Sequence, residues 1–151
     1  MDVDVDLEAP CAPEALFAWV DDLGRYPRWL DLVPRAEPDA ALDGDPGPAW
    51  VVDLRARLGP LSRSKRLRMV RTVHEPPRVA RFQRLEHDGL EHSAWVLQAT
   101  VEPIGQTASR LTMHLHYSGG LFGPVLDKKL HDEVARCRPR LLGLVAGEAT
   151  R

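Results

Sequence analysis

The sequence predicts an α+β fold: an antiparallel sheet with two short helices after its first strand and one long helix at its C-terminal end. Three observations carry this. Residues 3–7 and much of 49–118 alternate apolar and polar side chains with period two. Residues 13–33 and 126–145 instead place their apolar residues three or four apart. Turn residues punctuate 49–118 at intervals too short for crossover helices, which indicates an antiparallel meander.

The first strand carries Val3, Val5 and Leu7 on one face and Asp4, Asp6 and Glu8 on the other, and ends at Ala9-Pro10. Pro13 opens a helix whose Leu16, Phe17, Trp19, Val20 and Leu23 fall at helical spacing, with Gly24 as its stop. A second short helix spans Tyr26 to Leu32, has Pro27 in its first turn and buries Trp29, Leu30 and Val33. Glu37 to Pro48, rich in proline, glycine and aspartate, reads as an exposed loop. Six strands are expected after the helices, and alternation and turns delimit five. One starts at Ala49 and ends at Gly59-Pro60. The others span 63–73, closed by Pro76-Pro77, then 78–86, 92–102 and 109–118. After Gly119-Gly120, Leu126, Leu130, Val134, Cys137, Leu141 and Val145 form one apolar helical stripe, which Pro139 is expected to kink.

A length of 151 residues, 44% of them hydrophobic and 28% charged, suits one domain with a substantial core. No stretch approaches the roughly 20 apolar residues of a membrane span. The acidic N-terminus lacks the basic-then-apolar order of a signal peptide, so a cytoplasmic location is expected. The net charge of −2 does not suggest a polyanion partner. Arg55, Arg57, Arg63, Lys65, Arg66, Arg68 and Arg71 do crowd one region, but without the interleaved aromatics of a nucleic-acid surface, and no nucleic-acid partner is expected. Of 20 basic residues 17 are arginine and asparagine is missing, a bias that points to a GC-rich bacterial genome. Cys11 and Cys137 are too distant in sequence for a metal knuckle or redox pair and are expected to be buried thiols.

Four segments carry a resemblance: "APEALFAWVDDLGRYPRWL" (12–30), "LGPLSRSKRLRMVRTV" (58–73), "ARFQRLEHDG" (80–89) and "LFGPVLDKKLHDEVARCRPRLLGLV" (121–145). With the element order they resemble the START-like helix-grip superfamily, the SRPBCC group of polyketide cyclase/dehydrase and lipid-transport proteins, over nearly the whole chain. The resemblance implies a seven-stranded, strongly curved sheet wrapped around the long helix, with a ligand cavity between them. By alternation its walls would be Trp50, Val52 and Leu54, then Leu67 and Met69, then Trp95 and Leu97. Leu111, Met113, Leu115 and Tyr117 follow from the last strand, and Leu126 and Leu130 from the helix.

Polar residues of the same parity would orient or transform a ligand. Arg71 shares the face of Leu67 and Met69. Pairing of Phe82 with Trp95 would carry Arg84 inward beside Phe82, whereas a bulge would reverse it. Either arginine, if buried, needs a partner, and Glu86 and Glu91 are within reach of the chain. His114 and His116 share the face opposite the apolar set, so no metal site is expected from them. His87 and His92 flank the Asp88-Gly89 turn and are expected in solvent. There is no nucleophile elbow, phosphate loop, dinucleotide fingerprint or HExxH, and no cofactor is expected.

These readings favour a binding protein or carrier for a small hydrophobic molecule such as a lipid or polyketide. A cyclase, aromatase or dehydrase using the same cavity is the first alternative. A protein-interaction module with a filled core is the second, its candidate patch Leu121, Phe122 and Val125, which in a carrier would gate the mouth. The oligomeric state is open, a homodimer included.

Overall fold

The structure, a computed structural model, describes residues 1–119 and 126–149. Strand β1 (Asp2–Ala9) alternates strictly, with Val3, Val5, Leu7 and Ala9 buried and the acidic residues exposed. Helix α1 (Pro13–Phe17) starts with proline in its first turn, where a missing N–H costs nothing. It is shorter than its apolar spacing predicts. The carbonyls that would continue it are taken by side chains from further along: Arg25 donates to Ala18 O (2.9 Å), Tyr26 to Val20 O (2.9 Å) and Trp29 to Trp19 O (3.2 Å). The second helix is a 3-10 helix, Leu23–Arg28, three residues earlier than expected, because the Asp22 carboxylate accepts from Gly24 N and caps it there.

The sheet is completed by β2 (Arg35–Asp39), β3 (Ala49–Leu58), β4 (Leu61–Glu75), β5 (Val79–Arg84), β6 (Trp95–Ile104) and β7 (Ala108–Tyr117). Its order is β1-β7-β6-β5-β4-β3-β2, every neighbouring pair antiparallel. The strand that alternation leaves undelimited is β2, whose second half lies in the segment read as loop. It is a five-residue edge strand with one buried side chain, Ala36, so it shows no period of its own, and its edge position accommodates Pro38. Helix α2 (Leu126–Ala149) runs on through Pro139 and buries Leu130, Val134, Cys137, Leu141 and Val145. No described helix is long and apolar enough to cross a membrane.

The 40–48 segment also departs from an open loop, because it folds back over the convex face of β4. Arg68, on that face, donates to Asp39, twice to Asp45, and to the carbonyls of Ala40 and Leu85. The Asp45 side chain is shut off from solvent and accepts further from Leu42 N and His87 Nε2, both at 2.8 Å. A second set of ion pairs ties α2 to the segment after the 3-10 helix: Arg136 and Arg140 both reach Asp31, and Arg136 also pairs with Glu133. Cys137 is buried as expected, whereas Cys11, just past the end of β1, is partly exposed; both are free thiols.

Candidate ligand cavity

The concave face of the sheet is divided. At one end α1 packs against β6 and β7, with Leu16 and Phe17 buried in the same core as Leu7, Val101 and Leu111. At the other end the sheet, the 23–33 segment and α2 leave a void of about 90 Å³. Of the residues expected in its walls, Val52, Leu54, Leu67 and Met69 border it from β3 and β4, and Trp95, Leu97, Met113 and Leu115 from β6 and β7. Leu130 closes it from α2.

Six others do not border it. Leu111 is at the end filled by α1. Phe82, the concave residue of β5, is covered by the Tyr26 ring (6.3 Å, edge-on) and flanked by Trp50 (5.7 Å, edge-on), so these two back the wall. Tyr117 stacks on Trp95 at 5.3 Å and stands behind it. Arg71 extends instead to Asp21 O (2.9 Å). Arg84 is held in a polar cluster of its own. The Leu126 side chain lies outside the described residues, as do Leu121, Phe122 and Val125.

The wall contributed by Leu23, Tyr26, Leu30, Leu32 and Val33 is not legible as such in the sequence, where these residues read as helix core. The available signal is density: almost every apolar residue from 23 to 33 is buried, more than one helical face can hold. Among the described residues Arg55, at the rim, is the one charged residue that borders the void. Tyr26 brings the void its only hydroxyl among the described residues. It is committed to Val20 O, and burial, with Asp21 and Asp22 adding to it, pushes the phenol far above its ordinary range. Away from Arg55 at its rim, the void therefore offers an uncharged, largely apolar surface.

The register of β5 settles the direction of Arg84. Phe82 pairs with Leu97 rather than Trp95, a shift of two residues that keeps the parity. Arg84 therefore stays on the concave side, opposite Met69. Its Nε donates to Glu86 (2.6 Å) and its Nη1 to Ser93 Oγ (3.2 Å), while Nη2 lies 3.2 Å from His92 Nδ1. His92 Nε2 in turn lies 2.8 Å from Asp88. A guanidinium has only donors, so His92 Nδ1 accepts and its Nε2–H points to Asp88. The Leu90 N–H, and then His92, hold the Asp88 carboxyl below its ordinary range. His87 and His92 are exposed, as expected, and each also pairs with an aspartate, His87 with Asp45 and His92 with Asp88.

His114 and His116 do take the convex face. His114 bridges Asp4 (2.7 Å) and Asp2 (3.1 Å), and His116 reaches Asp2 (3.0 Å). The hydrogen bond that the His114 ring donates to the Asp4 carboxylate is the main cause that raises the His114 pKa. Among the described residues, ligand atoms of Asp31, Glu133 and Cys137 also lie within 4.8 Å of one another. The guanidiniums of Arg136 and Arg140 already neutralise that group, and it reads as a clamp rather than a metal centre.

The model of the family described as polyketide cyclase/dehydrase and lipid transport matches residues 1–141. No curated protein matches the chain. Among solved structures, a START superfamily protein from Mycobacterium smegmatis is similar at 17% identity and TM-score 0.67, covering 97% of each chain. A protein from Deinococcus radiodurans is similar at 19% identity and TM-score 0.65, covering 95% of this chain and 99% of that one. The Zhui aromatase/cyclase of Streptomyces sp. R1128 is similar at 16% identity and TM-score 0.57, covering all of this chain and 94% of its own. At these identities the likeness is one of fold. Sheet order, long closing helix and a family match over nearly every residue lead to one assignment: the chain belongs to the polyketide cyclase/dehydrase and lipid transport family, with the START-like helix-grip fold.

Proposed function

We propose that the protein binds a small hydrophobic molecule, a lipid, polyketide or similar metabolite, between its sheet and α2, and acts as a carrier. The observation that supports this most directly is the chemistry of the void: among the described residues the bordering side chains are apolar except Arg55 at the rim, the indole N–H of Trp95 and the Tyr26 hydroxyl, which is already bonded. Such a wall selects by shape and desolvation and has no group placed to transfer a proton. At about 90 Å³ the void is smaller than the roughly 300–1,000 Å³ of typical ligand sites. Cargo therefore enters by repacking, to which the unbranched Met69 and Met113 and the non-sheet wall from Leu23 to Val33 are suited.

Native mass spectrometry of freshly purified protein tests the proposal. A bound apolar molecule near unit occupancy is the expected result. Loss of that molecule in a Leu115→Phe variant that stays folded would place it in the void. Protein that is empty and takes up no fatty acid or aromatic polyketide would overturn the carrier reading.

A cyclase-type reading draws on a different feature. The Arg84–His92–Asp88 string starts on the concave face opposite Met69, which borders the void. A reactive chain that enlarged the void toward β5 would meet the Arg84 guanidinium, steadied by His92 and Asp88 behind it and able to hold an enolate oxygen. Arg84→Gln should then abolish turnover of a poly-β-ketone while leaving ligand binding intact. Unchanged product distribution would dismiss the enzyme reading.

A further inference from the structure

The basic run in the sequence divides into two fates. Arg68 and Arg71 become internal ties, and Arg66 pairs with Asp53 at 2.7 Å. Arg55, Arg57, Arg63 and Lys65 remain, on the distal half of the β3–β4 hairpin. Among the described residues none of these four takes part in an ion pair, and Arg55, Arg57 and Arg63 are exposed. Residues 55–66 contain no acid at all, although the chain carries a net charge of −2. The distal half of the hairpin is thus a local concentration of positive charge.

The tip itself is apolar. Gly59 (φ +66) and Pro60 make the turn, and Leu61 beside them is 59% exposed, far more than a leucine with a place in the core. The hairpin is also continuous with the cavity, since Leu54 and Arg55, where its distal half begins, border the void.

We propose that this hairpin tip docks the protein on an anionic lipid bilayer, with Leu61 set into the headgroup boundary and the free cations against lipid phosphates. The proposal rests on the carrier reading for its purpose, because docking would bring the rim of the void to the source or sink of an apolar cargo. A nucleic acid would use the cations but has no use for an exposed leucine between them, and no aromatic side chain stands on the distal half of the hairpin to stack on bases. A bilayer uses both features: each cation near an anionic surface is worth about fivefold in partitioning, and burial of one leucine about tenfold or more.

The test is co-sedimentation of the full-length protein with cargo-free vesicles of phosphatidylcholine, with and without 30% phosphatidylglycerol, at low and high salt. The expected result is binding to the anionic vesicles only, lost at roughly 0.5 M salt, where charges are screened within a few ångströms. Arg57→Glu/Arg63→Glu should weaken it at least about twenty-fivefold and Leu61→Asp about tenfold, with thermal unfolding unchanged because these side chains are solvent-exposed. A tryptophan at the tip, Leu61→Trp, should shift its emission to the blue with anionic vesicles. No binding to either vesicle, or binding that the charge-reversed variant retains, would overturn the proposal. So would DNA competing as well as vesicles with no effect of Leu61→Asp, since that would mark a plain polyanion site. Uptake of a fluorescent fatty acid, read without vesicles, separates the two proposals: docking without uptake overturns only the carrier, and uptake without docking overturns only the hairpin assignment.

Discussion

Arg68 holds Asp45 through two parallel hydrogen bonds, Nη2 to Oδ2 at 2.7 Å and Nη1 to Oδ1 at 3.1 Å, and so fastens the 40–48 segment to the convex face of β4. The guanidinium fork and the carboxylate match in geometry, and the remaining donors are met by Asp39 and two carbonyls. Removal of one partner leaves the other charge enclosed. Arg68→Met is expected to lower the Tm by roughly 6 °C or more in a thermal melt. Arg68→Met/Asp45→Leu should recover part of that loss, since a buried pair is replaceable by apolar packing where a lone buried charge is not.

The same pair sets an acid dependence. Arg68 first, then the Leu42 N–H and His87, hold the Asp45 carboxyl far below the ordinary carboxylate range. Its folded pKa is therefore depressed, and between folded and unfolded values the unfolded chain binds more protons. The contribution is fully present above the unfolded value of about 4 and is lost as pH falls through the folded one. Urea midpoints should drop between about pH 5 and pH 2.5, and less steeply in Asp45→Asn. Equal slopes in both proteins would assign the acid sensitivity to other carboxylates.

His114 works in the opposite sense. Its folded pKa is raised, so its contribution is complete below the unfolded value of about 6.5 and is lost as pH rises through the folded one. A ring-proton NMR titration should give a midpoint above 6.5 that returns toward it in Asp4→Asn. The effect on stability is small, because the pair is largely open to water.

Two glycines predict opposite outcomes for the same substitution. A Cβ on Gly47 would stand 2.3 Å from Arg71 O, a backbone atom that cannot move aside without β4. Gly47→Ala should cost about 1–3 kcal/mol, or roughly 2–12 °C in Tm. Gly143, exposed within α2, has nothing within 4 Å of the same point. Gly143→Ala should raise the Tm by roughly 2–4 °C, through backbone entropy alone.

The void supplies the ligand prediction. A molecule at a hundred times its Kd stabilises the folded state by about 2.7 kcal/mol, a Tm rise of roughly 5–10 °C. Leu115→Phe should fill the space and remove that rise while the unliganded Tm stays within a few degrees. Tyr26→Phe leaves the Val20 carbonyl without its buried donor and should cost about 1–3 kcal/mol. Its ligand-induced rise should persist, because the hydroxyl is turned away to the backbone.

The sequence by itself determined which way the strands face. Period two in 3–7, 50–54 and 111–117 assigns Val5, Val52 and Met113 to the core and Asp4, Asp53 and His114 to the other side, because successive side chains in a strand must point oppositely. It likewise determined the apolar stripe of α2 and the turns at Gly59 and Gly105, which adopt positive φ. Tertiary structure decided everything that depends on a partner distant in the chain. Strand β2 exists because β3 pairs with it, and α1 stops where Arg25, Tyr26 and Trp29 claim its carbonyls. The 23–33 segment becomes a cavity wall because Phe82 and Trp50 occupy the space beside it. Arg63 and Arg68 are the same residue type in one strand; one stays in solvent and the other is enclosed. The difference is that the 40–48 segment returns over Arg68 and brings Asp45 with it, a long-range contact that no local pattern encodes.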